Sequence, residues 1–371
     1  MCICGCILQF YLLKNHLKIS IILPIKDTAK YLKTCLDSIL SQTYQNWELL
    51  AVDDDSSDDC FSILVEYAKI DSRITALKNP NPGLLNALRF GYSHSTGELI
   101  HRMDSDDVMP GDKLEVMLAS ISATLDGRST TLDVRLTALD GHNEAFKKGA
   151  LITGATEYFS DEGPIGDGFK RYDRWLMEVA KNQSYREEVY KECVIPSNCW
   201  LVHRDDFDKI GAFDSDTFPE DYDLCFRFIA GGLKIIGLPK VLHHWRDRND
   251  RISRTWEVYK DNRFFELKAH YFFKMDRDKK RPLVLWGAGK NGKDLAKFIL
   301  KEEENLIWVC DNDNKIGKDI YGVKMQHFSS IERLNSPQII IAVASPDGQR
   351  EIKRELNVLN YLKGKDYWFF A

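Results

Sequence analysis

Several features are scarce in this 371-residue chain, and each scarcity excludes a class of protein. No apolar run reaches the length of about 18 residues that a membrane-spanning helix needs. There is no basic surplus: 51 Lys and Arg stand against 56 Asp and Glu, for a net charge of −5. That argues against a general binder of phosphate backbones, so no nucleic-acid partner is expected. Low-complexity tracts are missing, which excludes wholesale disorder and fibrous architectures. The nine cysteines are odd in number and scattered. Cys193 and Cys199 have no matching second pair, so the spacing of a zinc site is lacking. Cys35, Cys60, Cys225 and Cys310 fall inside apolar or helical patterns, where a free thiol acts as a small hydrophobe. This usage reads as reduced and intracellular.

Residues 1–16 begin with an apolar stretch, MCICGCILQFYLL, that lacks a basic start and a small-residue cleavage site. It is too short to span a bilayer and is expected to be a disordered extension. The first convincing element is LKISIIL, residues 17–23, whose continuous β-branched character fits a buried parallel strand. Tyr31, Leu32, Cys35, Leu36, Ile39 and Leu40 then recur at helical spacing. Trp47 to Asp53 is a second strand, followed by a helix carrying Phe61, Leu64, Val65 and Ala68. Further strands are expected near 74–77 and 97–104, with a helix over 84–92 between them. Alternating strands and helices predict an α/β fold with a mostly parallel sheet covered on both faces. Residues 115–150 show only weak helical periodicity around Leu132 to Leu139. Residues 256–280 read as a helical connector, and a new βαβ pattern begins at 281 and runs to 371.

Acidic residues gather where strands end, which is where open α/β sheets bind ligands. VDDDSSDD places Asp53 and Asp54 after the second strand. HRMDSDD places Asp104, Asp106 and Asp107 after another. Two carboxylates in a D-x-D turn offer hard oxygen ligands that suit Mg²⁺ or Mn²⁺ and a substrate diphosphate. Solvated turns and helix caps are the alternative reading of each cluster alone. In FPEDYDLCFRF, Glu220 and Asp221 open a helix, where carboxylates favour the macrodipole. The functional reading of that position is a general base for a hydroxyl. His243, His244 and Arg246 follow on a run that alternates faces.

The runs IILPIKDTAKYLKTCLDSILSQTYQNWELLAVDDDSSDD, GLLNALRFGYSHSTGELIHRMDSDD and IGAFDSDTFPEDYDLCFRFIAGGLKIIGLPKVLHHWR together resemble the family 2 glycosyltransferases over residues 17–255. The resemblance implies a GT-A nucleotide-diphospho-sugar transferase fold and inversion at the anomeric carbon. It also implies a nucleoside-diphosphate sugar donor, a Mn²⁺ or Mg²⁺ ion, and a glycan or lipid-linked acceptor. By the same resemblance, Pro24 and Asp27 meet the nucleotide, and Asp54 is similar to the Asp that binds the base. Asp104 and Asp106 match the metal- and diphosphate-binding D-x-D. Asp221 matches the base, with Glu220 as second candidate. His243 is a further candidate toward the metal or diphosphate, and Arg246 toward the diphosphate. Arg251 and Ser253 are placed in a loop that closes over the donor. Three positions depart from the usual pattern: Lys26–Asp27 where Tyr–Asn is frequent, Asp55 where Gly is frequent, and Asn86 to Arg89 where A-R-N is common. The expected location is cytoplasmic, at or away from the membrane face, with peripheral contact through a lipid-linked acceptor.

The C-terminal segment holds Gly287, Gly289 and Gly292 in a G-x-G-x-x-G between an apolar strand and a helix. Asp311 ends the next strand, 24 residues beyond Gly287. This context fits a small Rossmann-like domain with an NAD-like ligand. A Rossmann-like fold that binds nothing is the alternative. The competing functional reading is therefore an oxidoreductase or sugar-modifying enzyme centred on these glycines.

Overall fold

The computed structural model describes residues 17–125, 148–251, 264–303 and 305–371. The apolar start, the weak periodicity at 132–139, Ser253 and the first part of the expected connector lie outside the described residues. The chain divides into two compact units. Described residues of the first are 17–125, 148–183 and 195–251, and those of the second are 184–194, 264–303 and 305–371.

The first unit follows the order β1 (Ile19–Ile25), α1 (Ala29–Leu40), β2 (Trp47–Asp53), α2 (Cys60–Ile70), β3 (Ile74–Lys78), α3 (Leu84–Ser93) and β4 (Leu99–Arg102). It continues with α4 (Lys113–Leu125), β5 (Ala150–Phe159), α5 (Asp167–Asn182), β6 (Trp200–His203), α6 (Arg204–Lys209), α7 (Glu220–Ala230) and β7 (Lys234–Arg246). Its seven strands lie in the order β3-β2-β1-β4-β6-β5-β7. The four strands from β3 to β4 are parallel, β6 runs against both its neighbours, and β7 is parallel to β5.

All seven residues of β1 are buried, as a strand covered on both faces requires. Ile19, Ile21, Leu23 and Ile25 pack with Leu32, Cys35, Leu36 and Ile39 of α1. On the other face, α3 approaches β1 and β2 closely. A Cβ on Gly91 would stand 2.9 Å from Ile22 Cγ2 and 3.0 Å from Val52 Cγ2. Gly91→Leu is therefore expected to destabilise the chain by at least ~1–3 kcal/mol through overpacking, read as a lower urea midpoint. Since β1, β2 and β4 run in parallel side by side, their carboxyl ends deliver Asp27, Asp54 and Asp104 to one edge of the sheet.

In the second unit, β8 (Leu283–Trp286), β9 (Leu306–Cys310), β10 (Gln326–His327), β11 (Gln338–Ile341) and β12 (Tyr367–Phe369) form a parallel sheet. Its order is β10-β9-β8-β11-β12. Helices α8 (Phe265–Met275), α9 (Lys290–Glu302) and α10 (Pro346–Val358) accompany it. Of the expected connector, Phe265–Met275 is helical and residues 276–280 are not. Residues 184–194 belong to this unit although their neighbours in sequence lie in the first. Tyr190 stacks on Phe370 at 4.9 Å between ring centroids, and its hydroxyl donates to Asp276. Buried Lys268 donates to the carbonyls of Lys191 and Phe370, and burial lowers its pKa to about 8. Among the described residues, no helix is long and apolar enough to cross a membrane. The six described cysteines are free thiols.

Candidate functional site

Two strand-end loops are tied together beside the third. Asp27 Oδ1 accepts from the backbone N–H and the hydroxyl of Ser57, at 2.7 and 2.9 Å. Asp27 and Asp55 both take left-handed conformations, with φ of 50° and 60°. An aspartate tolerates that region better than most side chains, which explains how Asp55 stands where the resemblance leads one to expect Gly. Asp54 is buried and accepts from Asn79 Nδ2 at 2.6 Å and Gly83 N at 2.8 Å. Pro24 is buried in β1, paired in register with Val52. The Thr28 hydroxyl lies 2.8 Å from that of Ser105, so the loop after β1 is joined to the acidic turn after β4. Arg89 is spent on the carbonyls of Phe213, Asp214 and Ser215.

The turn from Asp104 to Asp107 is clamped against β7: Val108 and His244 exchange backbone hydrogen bonds of 3.1 and 3.0 Å. Its carboxylates divide into two roles. Asp107 is almost fully buried and accepts from Asn198 Nδ2 at 2.7 Å and Arg246 N at 2.8 Å. His243 Nε2 is 3.0 Å from Asp107 Oδ2, while Lys113 Nζ is 3.3 Å from His243 Nδ1. Burial holds His243 well below its ordinary pKa. The ring is then neutral, donating from Nε2 and accepting from Lys113 at Nδ1. Both its nitrogens are engaged within the protein, so His243 braces Asp107 from behind. Asp104 and Asp106 are the more exposed members, with side chains 23% and 14% accessible. Asp104 pairs with Arg102 at 3.1 Å and Asp106 with Arg248 at 2.9 Å. Burial and then Asp107 raise the Asp106 pKa to about 6.

Arginines and aromatic rings surround the turn. Arg246 donates to the Asp106 carbonyl at 2.7 Å and pairs with Asp161. Its guanidinium lies 4.8 Å from the centre of the Tyr31 ring and 4.5 Å from that of Phe159. Arg251 lies 5.1 Å from Trp245, which stacks on Tyr158. Such contacts hold cations in place at modest desolvation cost.

Helix α7 brings the last carboxylates. Its Phe228 packs 5.4 Å from Trp200 of β6, which fixes the helix against the sheet. Arg102 Nη1 donates to Glu220 Oε1 at 3.1 Å, so one buried guanidinium bridges Glu220 and Asp104. Asp221 accepts from Tyr222 N at 2.8 Å. Burial and then Glu220 push its pKa up to about 7, against the opposing pull of Arg102. Glu220 Oε2 and Asn198 Oδ1 are buried acceptors with no hydrogen-bond partner.

Asp104, Asp106, Asp107, Glu220, Asp221, His243 and Arg246 thus share one network, with Asp27 and Asp54 on the adjoining loops. Sequence reading missed Arg102, Lys113, Asn198 and Arg248. Arg102 and Arg248 carried a signal, as charges beside an acidic strand end and in the run WRDRND. Lys113 and Asn198 carried none. Gly287, Gly289, Gly292 and Asp311 lie in the second unit, where Gly287, Gly289 and Asp311 line a separate cavity.

Among the described residues, no group of three or more His, Cys, Asp and Glu is arranged to hold a metal by itself. The donor set still fits Mg²⁺ or Mn²⁺. Such ions use one or two carboxylates and complete their shell with water and substrate phosphate. The crowding that raises Asp106 is also what a cation would relieve.

A mostly parallel sheet with helices on both faces and carboxylates gathered at the ends of its parallel strands defines an α/β protein. The sequence profile of glycosyl transferase family 2 matches residues 20–211. An uncharacterised glycosyltransferase of Haemophilus influenzae is 34% identical over 315 residues, 83% of this chain and 85% of that protein. Glycosyltransferase GlyA of Streptococcus pneumoniae is 28% identical over 241 residues, 64% of this chain, and the chain spans only 32% of that relative's length. Staphylococcus aureus TarS 1–349, solved with UDP-GlcNAc, superposes with a TM-score of 0.50 at 15% identity, covering 77% of this chain and 74% of that one. The chain belongs to glycosyl transferase family 2, and its first unit has the GT-A fold.

Proposed function

We propose that the chain transfers a glycosyl unit from a nucleoside-diphosphate sugar to a hydroxyl of a glycan or lipid-linked acceptor, with inversion. The observation that carries this reading is the joining of Glu220 and Asp104 by Arg102, which sets the start of α7, where the base candidate Asp221 follows Glu220, beside the proposed diphosphate site. UDP-GlcNAc, the ligand named for TarS, is of the donor class proposed.

Asp54 and Asp27 bind the nucleoside from the loops after β2 and β1. Asp104 and Asp106 would hold Mn²⁺ or Mg²⁺ and, through it, the donor diphosphate. When bound, the ion neutralises charge on the leaving group. Arg246, Arg248 and Arg251 add fixed positive charge beside the same turn, where an anion develops. Asp221 takes the proton from the acceptor hydroxyl as that oxygen bonds to the anomeric carbon, whose bond to the diphosphate oxygen breaks to release the nucleoside diphosphate. Glu220, paired with Arg102, holds the geometry rather than the proton. His243 acts through Asp107. Positioning of donor and acceptor supplies much of the remaining acceleration.

The test is a panel of UDP- and GDP-sugars with product identification. Turnover is expected to vanish on chelation and to return with Mn²⁺ or Mg²⁺. Full activity in the presence of a chelator and in Asp106→Ala would overturn the metal assignment.

A further inference from the structure

The second unit contains a cavity of about 410 Å³ that the proposed transfer does not use. Its position follows from topology. The order β10-β9-β8-β11-β12 reverses direction between β8 and β11, and in open parallel sheets ligands bind in the crevice at that reversal. The cavity is lined by the loops that leave β8, β9 and β11, through Gly287, Gly289, Asp311, Lys315, Val343 and Ser345.

The three glycines of the first loop are not equivalent. Gly287 has a φ of +123°, so its backbone calls for glycine. A Cβ on Gly292 would lie 1.9 Å from the Gly287 carbonyl oxygen, so packing calls for glycine there. Gly289 has neither reason. Its φ and ψ of −77° and −167° suit any residue, and a Cβ there would meet nothing within 4 Å. That empty space belongs to the cavity. The fold leaves Gly289 free to carry a side chain, and a ligand that approaches the backbone there does not.

The surrounding groups state which ligand. Lys290, the first residue of α9, and Ser345, the N-cap of α10, line the cavity, and helix starts favour anions. Trp308 Nε1 donates to the Gly287 carbonyl at 2.8 Å and Lys315 Nζ to the Ala288 carbonyl at 2.7 Å. Those bonds hold the loop's acceptors away from an incoming phosphate. Asp311 offers an exposed carboxylate at the end of β9, a position suited to ribose hydroxyls.

We propose that this cavity binds a ribonucleoside diphosphate, with the diphosphate against Gly289 and the start of α9 and the ribose at Asp311. Two sources carry that chemistry: a nicotinamide dinucleotide and a nucleotide sugar. The site binds without transferring a group.

Amide hydrogen exchange of the full chain with NADH, ADP and UDP tests this. Slower exchange is expected in residues 287–293 and 343–349. Protection by NADH and ADP identifies the dinucleotide source, and protection by UDP alone identifies the sugar nucleotide. Gly289→Val should weaken that protection at least about tenfold while leaving exchange without ligand unchanged. Asp311→Ala, at an exposed position, should weaken it without any question of folding. Protection at residues 53–56 and 104–108 reports the transfer site separately. The proposal fails if none of the three nucleotides protects the 287–293 loop, or if neither variant weakens the protection.

Discussion

Asp221→Asn is expected to lower turnover by about 10²–10⁴-fold, the range of a lost general base, while leaving donor-nucleotide binding intact. Tyr222 N–H donates to the Asp221 carboxylate, and the amide oxygen of Asn can accept the same bond, so the fold is preserved. The pH profile gives a second readout. Burial and Glu220 raise the Asp221 pKa to about 7, so the proton-accepting form dominates only above that pH. The wild type should therefore lose kcat/KM as pH falls below about 7, and the Asn variant should lose that acid limb. A variant with near-normal turnover and an unchanged limb would move the base elsewhere, with Glu220 the next candidate.

Arg102→Met should have the largest effect on stability. The guanidinium is buried, and it pairs with Asp104 and Glu220, both at 3.1 Å. Met fills similar volume but leaves two carboxylates uncompensated, which typically costs ~3–5 kcal/mol. Thermal unfolding of the full chain reads this directly. The variant also removes the positive charge that lowers the Asp221 pKa. Its acid limb should therefore move to higher pH, and the shift should be measurable in whatever fraction stays folded. An unchanged melting temperature would mean that solvent already screens the pair.

The two variants separate chemistry from architecture. Asp221 touches the reacting hydroxyl in the proposed step, so its loss should act on rate with stability nearly constant. Arg102 shapes the site from beneath, so its loss should act on stability first. His243 and Lys113 belong with Arg102 in this respect, because their nitrogens are engaged inside the protein.

Much of this was legible in the sequence. The apolar run ISIIL within the expected strand, buried in β1, the helical spacing of Leu32 to Ile39 and the alternation of strands and helices specified a covered α/β sheet, because burial patterns follow the period of each element. The order and spacing of the acidic motifs gave the family resemblance, which the profile match over 20–211 supports. The glycine fingerprint announced a second βαβ unit. Only the tertiary structure decided how the charges pair. Asn198 and His243 meet Asp107 from 91 and 136 residues away in sequence. No local pattern encodes such a meeting, since it depends on which strands become neighbours. The structure also placed residues 184–194 in the second unit and showed that Gly289, unlike Gly287 and Gly292, answers to no constraint of the chain itself. Periodicity and punctuation fix elements because they act over a few residues. Charge pairing and cavities belong to the packed sheet, because desolvation and Coulomb forces act through space.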